Sequence, residues 1–140
     1  MNILLDTNII IDLNDLTRPL DPQLAQMQRL LDQLSHHIFL HPAQVEDFNR
    51  DPNERRKAIN LSRVGQYNYI NTPPIPTELE LTRLNWTQNS DNDRIDNFLL
   101  YALGAGAVHI LVSNDNGIHR KAKRAGLQDR VHRLEQFIIF

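Results

Sequence analysis

The stretch Met1-Asn2-Ile3-Leu4-Leu5-Asp6-Thr7-Asn8 opens the chain and sets a pattern that later segments repeat. Its first five residues predict a short buried strand. The three small polar residues that follow favour a turn and a helix N-cap. A short helix is expected next, from Ile9 to Leu16.

Strands and helices alternate along the rest of the chain. Strands are predicted at 38–40 and 109–112, and a last strand or docking tail is predicted at 131–140. Helices are predicted to begin at Pro22, Pro42, Asn53, Asp93 and Asn114-Asp115, while Thr72-Pro73-Pro74-Ile75-Pro76 predicts an ordered connection. This alternation indicates one α/β domain over residues 1–140 with a mainly parallel sheet.

The composition excludes several classes of protein. The 140 residues are 41% hydrophobic and 23% charged, which is typical of a folded domain with one core. No apolar stretch is long enough to cross a bilayer, and Asp6 and Asp12 interrupt the N-terminal apolar residues, so neither a membrane span nor a signal peptide is expected. The lack of cysteine excludes disulfides, thiol catalysis and zinc–thiolate sites, and it fits a cytoplasmic protein.

The net charge of −2 conceals an uneven distribution of charge. Eleven of the fifteen Lys and Arg residues lie in two windows, 50–63 and 119–133, so the remainder of the chain is acidic. An acidic focus beside basic stretches suits a protein that handles a polyanion through bridging cations. Two solvated helix faces would give the same distribution.

Five acidic residues lie where ligands bind in a parallel α/β sheet, at the carboxyl ends of strands. Asp6 follows the first strand and Asp115 follows the strand at 109–112. Glu46 lies one turn into the helix after the second strand, and Asp93 and Asp96 begin the helix that leads to the strand before Asp115. Taken singly, each fits a helix cap, a favourable position in a helix dipole or a solvent-facing position.

Taken together, these acids predict a metal site. Two carboxylates about 4 Å apart repel by roughly 4 kcal/mol at an effective dielectric of 20, so a cluster requires a cation or shared protons. Hard divalent ions prefer oxygen ligands, and no His or Cys residues stand at zinc spacing. The pattern therefore indicates Mg²⁺ or Mn²⁺ acting on phosphate esters.

The same residues carry a family likeness that extends over essentially the whole chain. Leu4-Leu5-Asp6-Thr7-Asn8-Ile9-Ile10-Ile11-Asp12 and Leu111-Val112-Ser113-Asn114-Asp115 resemble the N-terminal and later strand-end motifs of PIN-domain nucleases, especially the VapC-type toxins of toxin–antitoxin pairs. The stretch from Asp96 to Leu103 is similar to the helix with that family's third acid, and Ala43-Gln44-Val45-Glu46 to the helix with its second.

The resemblance implies a PIN-like three-layer α/β/α sandwich with a short, mainly parallel central sheet. It also implies Mg²⁺- or Mn²⁺-dependent hydrolysis of RNA phosphodiester bonds, a homodimer and a cognate antitoxin. The catalytic and metal-binding acids it implies are Asp6, Glu46, Asp96 and Asp115. Asp93 competes with Asp96 for the third position, and spacing favours Asp96. Asp47 would point about 100° away from Glu46, and Asp51 lies more than a turn further along.

Supporting roles are expected for two further groups of residues. The first would hold the carboxylates by hydrogen bonds, or serve as turn and cap residues: Thr7, Asn8, Ser113 and Asn114. The second would contact the RNA backbone: Arg120, Lys121, Lys123, Arg124, Arg55, Arg56 and the adjacent Lys57. Backbone N–H groups in the stretch 116–119 are a further candidate for phosphate contact. His119 is left outside the catalytic set.

Other functions fit the sequence less well. A catalytically inactive PIN-like scaffold that binds RNA or protein is the main alternative. A phosphatase of the double-aspartate kind would have an acid where Asn8 stands, and a receiver domain would have an acidic pair near its start. A dinucleotide-binding module and a P-loop both need a glycine-rich turn after the first strand, which is missing here.

Overall fold

The first strand lies at the centre of a five-stranded sheet in the computed structural model, which describes residues 1–15 and 19–139. The strands are β1 (Asn2–Leu5), β2 (His37–Leu40), β3 (Asn68–Tyr69), β4 (Ile110–Val112) and β5 (Val131–His132). Their order is β3-β2-β1-β4-β5 and all pairings are parallel. The predicted mainly parallel sheet is confirmed.

Helices connect these strands and cover both faces of the sheet. They are α1 (Thr7–Asn14), α2 (Pro22–Gln33), α3 (Gln44–Asn49), α4 (Glu54–Arg63), α5 (Glu78–Leu84), α6 (Asp91–Gly104), α7 (Asn116–Arg124) and α8 (Leu134–Phe137). Two short 3₁₀ turns, Val64–Gln66 and Gln128–Arg130, follow α4 and precede β5. Within the described residues, no helix combines the length and apolarity that crossing a membrane requires.

The side chains of β1 alternate between two hydrophobic cores. Ile3 and Leu5 belong to a core that α1, α2 and α8 help to form, whereas Leu4 belongs to a core formed with α5, α6 and α7. All three side chains are fully buried. Because successive residues of a strand point to opposite faces, this alternation places helices on both sides of the sheet. The fold is a three-layer α/β/α sandwich, as predicted.

Several boundaries differ from the sequence prediction. Helix α6 begins at Asp91 rather than Asp93, because the Ser90 hydroxyl accepts the N–H of Asp93 at 3.1 Å and caps the helix two residues earlier. The predicted last strand or tail divides into β5 and α8, and β3 and α5 were not predicted. Leu16 and Phe140, the predicted ends of the first helix and of the tail, lie outside the described residues.

The chain order places one crevice at the carboxyl edge of the sheet. From β1 the chain moves outward to β2 and β3, then crosses back to β4 on the other side of β1. The connections therefore reverse direction between β1 and β4. In open parallel sheets this switch point is where ligands bind, and Asp6 and Ser113 are the residues that follow these two strands.

Gly126 tests how α7 is terminated. It follows the helix with a positive φ of 71°, where an L side chain is strained, so Gly126→Ala should lower the free energy of unfolding by about 1 kcal/mol. Gly65→Ala is the matched control, because a Cβ at Gly65 meets no atom within 4 Å and its φ is not positive. Urea denaturation should show little loss or a slight gain for this control. Equal losses of unfolding free energy in the two variants would contradict the role of the positive φ at Gly126.

Candidate active site

An open pocket of about 450 Å³ lies at the switch point between β1 and β4. Five aspartates line it: Asp6, Asp47, Asp51, Asp96 and Asp115. Two arginines, Arg50 and Arg56, also contribute to its wall, together with Thr7 and Asn8. The crevice that the topology predicts is therefore strongly acidic, with cations along one side.

Asp6 is held at the floor of this pocket. It is buried, its Oδ1 accepts the N–H of Thr7 at 2.8 Å, and its Oδ2 accepts the Ser113 hydroxyl at 2.8 Å. Burial raises the pKa of Asp6 to about 6, although these two hydrogen bonds favour the charged form. Asp6 therefore caps α1 and faces the pocket, so the two roles considered from the sequence coexist.

Asp115 lines the same pocket from the start of α7, where it is the N-cap residue. Its Oδ1 accepts the N–H groups of Gly117 at 2.6 Å and of Ile118 at 3.3 Å. A Cβ on Gly117 would lie 3.0 Å from that oxygen, which explains a glycine at this point. The Ser113 hydroxyl accepts the N–H of Asp115 at 3.0 Å and donates to Asp6, so one serine connects both acids.

This cap changes one expectation about phosphate binding. The backbone N–H groups within residues 116–119 were candidates for contact with a phosphate. The N–H groups of Gly117 and Ile118 instead donate to the Asp115 side chain, and that of His119 donates to the Asp115 carbonyl. Three of the four N–H groups in this stretch therefore already have acceptors within the protein.

Asp96 completes the wall from α6 and has the most perturbed carboxyl group of the site. Burial raises its pKa to about 8, with further increases from the negative charges of Asp6 and Asp115 and partial compensation from Lys121. Asp93 does not line the pocket. Its carboxylate accepts the N–H of Asn89 at 3.2 Å and lies 3.5 Å from the Lys121 ammonium group. Of the two competing acids, the pocket therefore contains Asp96.

The expected position of Glu46 is corrected by the orientation of α3. The Glu46 side chain is 48% exposed, does not line the pocket, and pairs with Arg94 and, at 3.6 Å, with Arg50. Asp47 lines the pocket instead. Gln44 and Phe48 form the buried stripe of α3. At about 100° per residue, position 47 borders that stripe, whereas position 46 lies on the far side.

Asp47 is hydrogen-bonded to Thr7, the residue after Asp6. Its Oδ2 accepts the Thr7 hydroxyl at 2.7 Å, and the Gln44 amide donates to the same hydroxyl at 3.3 Å and to the carbonyl of Leu5 at 2.8 Å. Burial raises the pKa of Asp47, while the Thr7 hydrogen bond and Arg50 oppose that rise. The buried Gln44 amide, through Thr7, thus positions the Asp47 carboxylate beside the end of β1.

The residues expected to support the carboxylates fall into two groups. Thr7 and Ser113 donate to acids of the pocket, and the exposed Asn8 lines it. Asn114 does not contact these acids. Its side-chain oxygen accepts the N–H of Leu134 at 3.0 Å, so it anchors α8.

The basic residues expected to contact RNA also differ in position. Arg120 and Lys123 are exposed on α7, Arg55 is exposed on α4, and Arg124 donates to the carbonyl of Asn85 at 3.1 Å. Arg56 clamps Asp51 through contacts of 2.6 and 2.8 Å at the pocket wall. The adjacent half-buried Lys57 does not line this pocket.

Lys121, which was expected to contact RNA, is buried and paired within the protein. The residue is 6% exposed, and its ammonium group donates to Asn97 Oδ1 at 2.8 Å and to the carbonyl of Thr87 at 3.0 Å. The Asp93 carboxylate also lies 3.5 Å from this ammonium group. Lys121 therefore links α7 to α6, through Asn97 and Asp93, and to Thr87 in the segment before α6.

The charged pocket residues that were not predicted from the sequence are Asp47, Asp51 and Arg50. Asp47 has a usable signal, the i, i+4 spacing of Gln44 and Phe48, which identifies the buried face of a short helix. Arg50 and Asp51 have no such signal, because their approach to the pocket depends on how the turn between α3 and α4 meets the end of β1. The position of this turn relative to β1 is determined only by the packing of the whole fold.

The donor set of the pocket suits a hard divalent ion. Within the described residues, no three acidic or histidine side chains are grouped tightly enough to hold one ion directly. Mg²⁺ commonly takes one or two carboxylates and retains several waters, so distant acids contact such an ion through water. Burial, with the negative charges of Asp6 and Asp115, raises the pKa of Asp96 to about 8, and a cation in the pocket would relieve the repulsion between these acids.

The raised pKa of Asp96 predicts a pH-dependent stability of the metal-free protein. The folded state binds this proton more tightly than the unfolded chain, so the free energy of unfolding should fall as pH rises from about 4 to about 8. Asp96→Asn should flatten this fall and raise stability at pH 8 by about 1–3 kcal/mol, measured by urea denaturation with EDTA. The exposed Asp91→Asn should leave the profile as in the wild type. A wild-type profile that rises over this range would refute the assignment.

The burial of Lys121 predicts a structural role. Lys121→Met leaves the Asn97 side chain and the Thr87 carbonyl without their donor. It should lower the free energy of unfolding by about 2–4 kcal/mol. Lys123→Met, two positions along the same helix and exposed, should change it by less than about 0.5 kcal/mol. Unchanged stability of the Lys121 variant together with weakened RNA binding would restore the original expectation.

No protein-family model, curated protein or solved structure matches this chain. The resemblance of the motifs around Asp6 and Asp115 to PIN-domain nucleases therefore stays a prediction. The pocket itself is the basis for inferring function.

Proposed function

We propose that this protein is a Mg²⁺- or Mn²⁺-dependent ribonuclease that hydrolyses RNA phosphodiester bonds. The observation that carries the proposal is the set of four carboxylates from Asp6, Asp47, Asp96 and Asp115 around one crevice at the switch point of the sheet. Burial raises the pKa of Asp96 to about 8, and the negative charges of Asp6 and Asp115 contribute to that rise. Such a site is unfavourable in its fully charged form unless a cation is bound there.

Under this proposal the four acids would hold the ion directly or through water, and supporting side chains would fix their orientation. Thr7 holds Asp47, and Ser113 holds Asp6. A bound divalent ion would supply an activated water and would stabilise charge on the leaving oxygen. No side-chain nucleophile is required.

The surroundings of the pocket suit a polyanionic substrate. Arg50 and Arg56 line the wall, and the exposed Arg120 and Lys123 on α7 extend positive charge from the side of Asp115. Cations beside an acidic centre attract a phosphate backbone. RNA, rather than another phosphate ester, is proposed on the resemblance to PIN-domain nucleases.

The same resemblance leads us to propose a toxin role, with a cognate antitoxin and a homodimer. A small neighbouring reading frame that encodes a DNA-binding protein would support this role. The inactive scaffold is the competing interpretation. It predicts RNA or protein binding without metal-dependent cleavage.

RNA cleavage by purified protein tests the proposed function. Wild type with Mn²⁺ or Mg²⁺ should cleave a mixed-sequence RNA, and EDTA should abolish cleavage. Asp6→Asn, Asp96→Asn and Asp47→Asn should each lower the rate by about 100-fold or more, because each removes a carboxylate from the metal site.

Glu46→Gln is the matched control for Asp47→Asn, since the two acids are neighbours on α3 but only Asp47 lines the pocket. Its rate should remain within about threefold of wild type. A large loss in Glu46→Gln with none in Asp47→Asn would return the second position to Glu46. Equal cleavage by wild type and Asp6→Asn would overturn the mechanism.

A further inference from the structure

Arg50 places a positive charge against one acid of the pocket. It follows α3 directly, and its Nη2 donates to Asp47 Oδ1 at 2.5 Å. Asp47 Oδ2 already accepts the Thr7 hydroxyl at 2.7 Å, so both oxygens of this carboxylate are engaged. The Asp47 side chain is 15% exposed and that of Arg50 is 36% exposed. The acid is thus enclosed while its cationic partner has access to solvent.

The other basic groups near the pocket have different partners. Arg56 clamps Asp51, and Arg94 pairs with Glu46 and lies over the Phe98 ring. In the described part of the chain, Arg50 is the cation that forms an ion pair with one of the four proposed metal-binding acids. Its charge opposes the rise in the pKa of Asp47. The metal-free pocket therefore contains its own counter-cation.

We infer that Arg50 and the divalent ion compete for Asp47, so that loading of the ion displaces the guanidinium from this carboxylate. The inference rests on the proposed function for the nature of the ion. An oxygen that accepts a guanidinium at 2.5 Å has no room on the same side for an ion at the usual distance of about 2 Å, and the two positive charges repel.

The exposure of Arg50 makes displacement feasible. Its long side chain begins at the end of α3, and its second contact, between Nη1 and Glu46 Oε2, is 3.6 Å long. That Glu46 oxygen is already paired with Arg94, so the long contact does little to fix Arg50 in place.

Isothermal titration of the full chain with MnCl₂, without RNA, tests the competition. Arg50→Gln should raise the affinity for Mn²⁺ by about tenfold. Arg94→Gln is the matched control, because it removes an equal charge that pairs with Glu46 and Asp91 and acts on Asp47 only weakly, and its effect should stay below about threefold. Arg50→Lys, which keeps the charge without the forked contact, should lie between wild type and Arg50→Gln.

A double-mutant cycle with Asp47→Asn separates competition from a general field effect. Once Asp47 is neutral, Arg50→Gln should change the affinity by less than about twofold. An equal gain in both backgrounds, or no gain in either, would overturn the inference. Absence of Mn²⁺ binding in wild type and all variants would overturn both the inference and the proposed function. The expected coupling without RNA cleavage would support the inference and refute the ribonuclease.

Discussion

The structure depends on the complete burial of β1. This strand has a parallel neighbour on each side and helices on both faces, so its three apolar side chains must serve two cores at once. The residue after such a strand belongs to neither core, so the change from apolar to polar surroundings is abrupt. In this chain that residue is Asp6, and the neighbouring strand delivers Ser113 to the same edge. The position of the site is therefore a consequence of how the cores are formed.

Electrostatic repulsion is the second constraint, and the fold resolves it only in part. Asp6 is stabilised by two hydrogen bonds and Asp47 by a hydroxyl and a guanidinium. Asp96 lies in the same field and holds its proton to about pH 8. The protein thus uses three different means to tolerate the same crowding: hydrogen bonding, an ion pair and protonation. A site built for structure alone would favour apolar packing at such a point.

The sequence was sufficient for the α/β class, the parallel sheet and the strand-end positions of Asp6 and Asp115, because short apolar runs and cap residues are local signals. It was insufficient where the outcome depends on rotation or packing. The choice between Glu46 and Asp47 depends on which face of α3 is buried. Lys121 is in a basic run that suggests solvent, yet three partners on other segments bury it.

The missed elements have similar physical explanations. β3 has two residues, too few for an alternating pattern, and exists because β2 offers it an edge. The start of α5 did have a local signal, a capping box between Thr77 and Glu80. Arg50 and Asp51 had none, since the turn that carries them is distant in sequence from the strands it meets.

The tripeptide Ser113-Asn114-Asp115 has a broader consequence. Its first residue joins two acids, its second anchors α8 through Leu134, and its third caps α7. Three unrelated tasks thus fall on adjacent positions with no spacer between them. An insertion or deletion here would disturb all three together, so divergence at this corner must proceed by coordinated replacement.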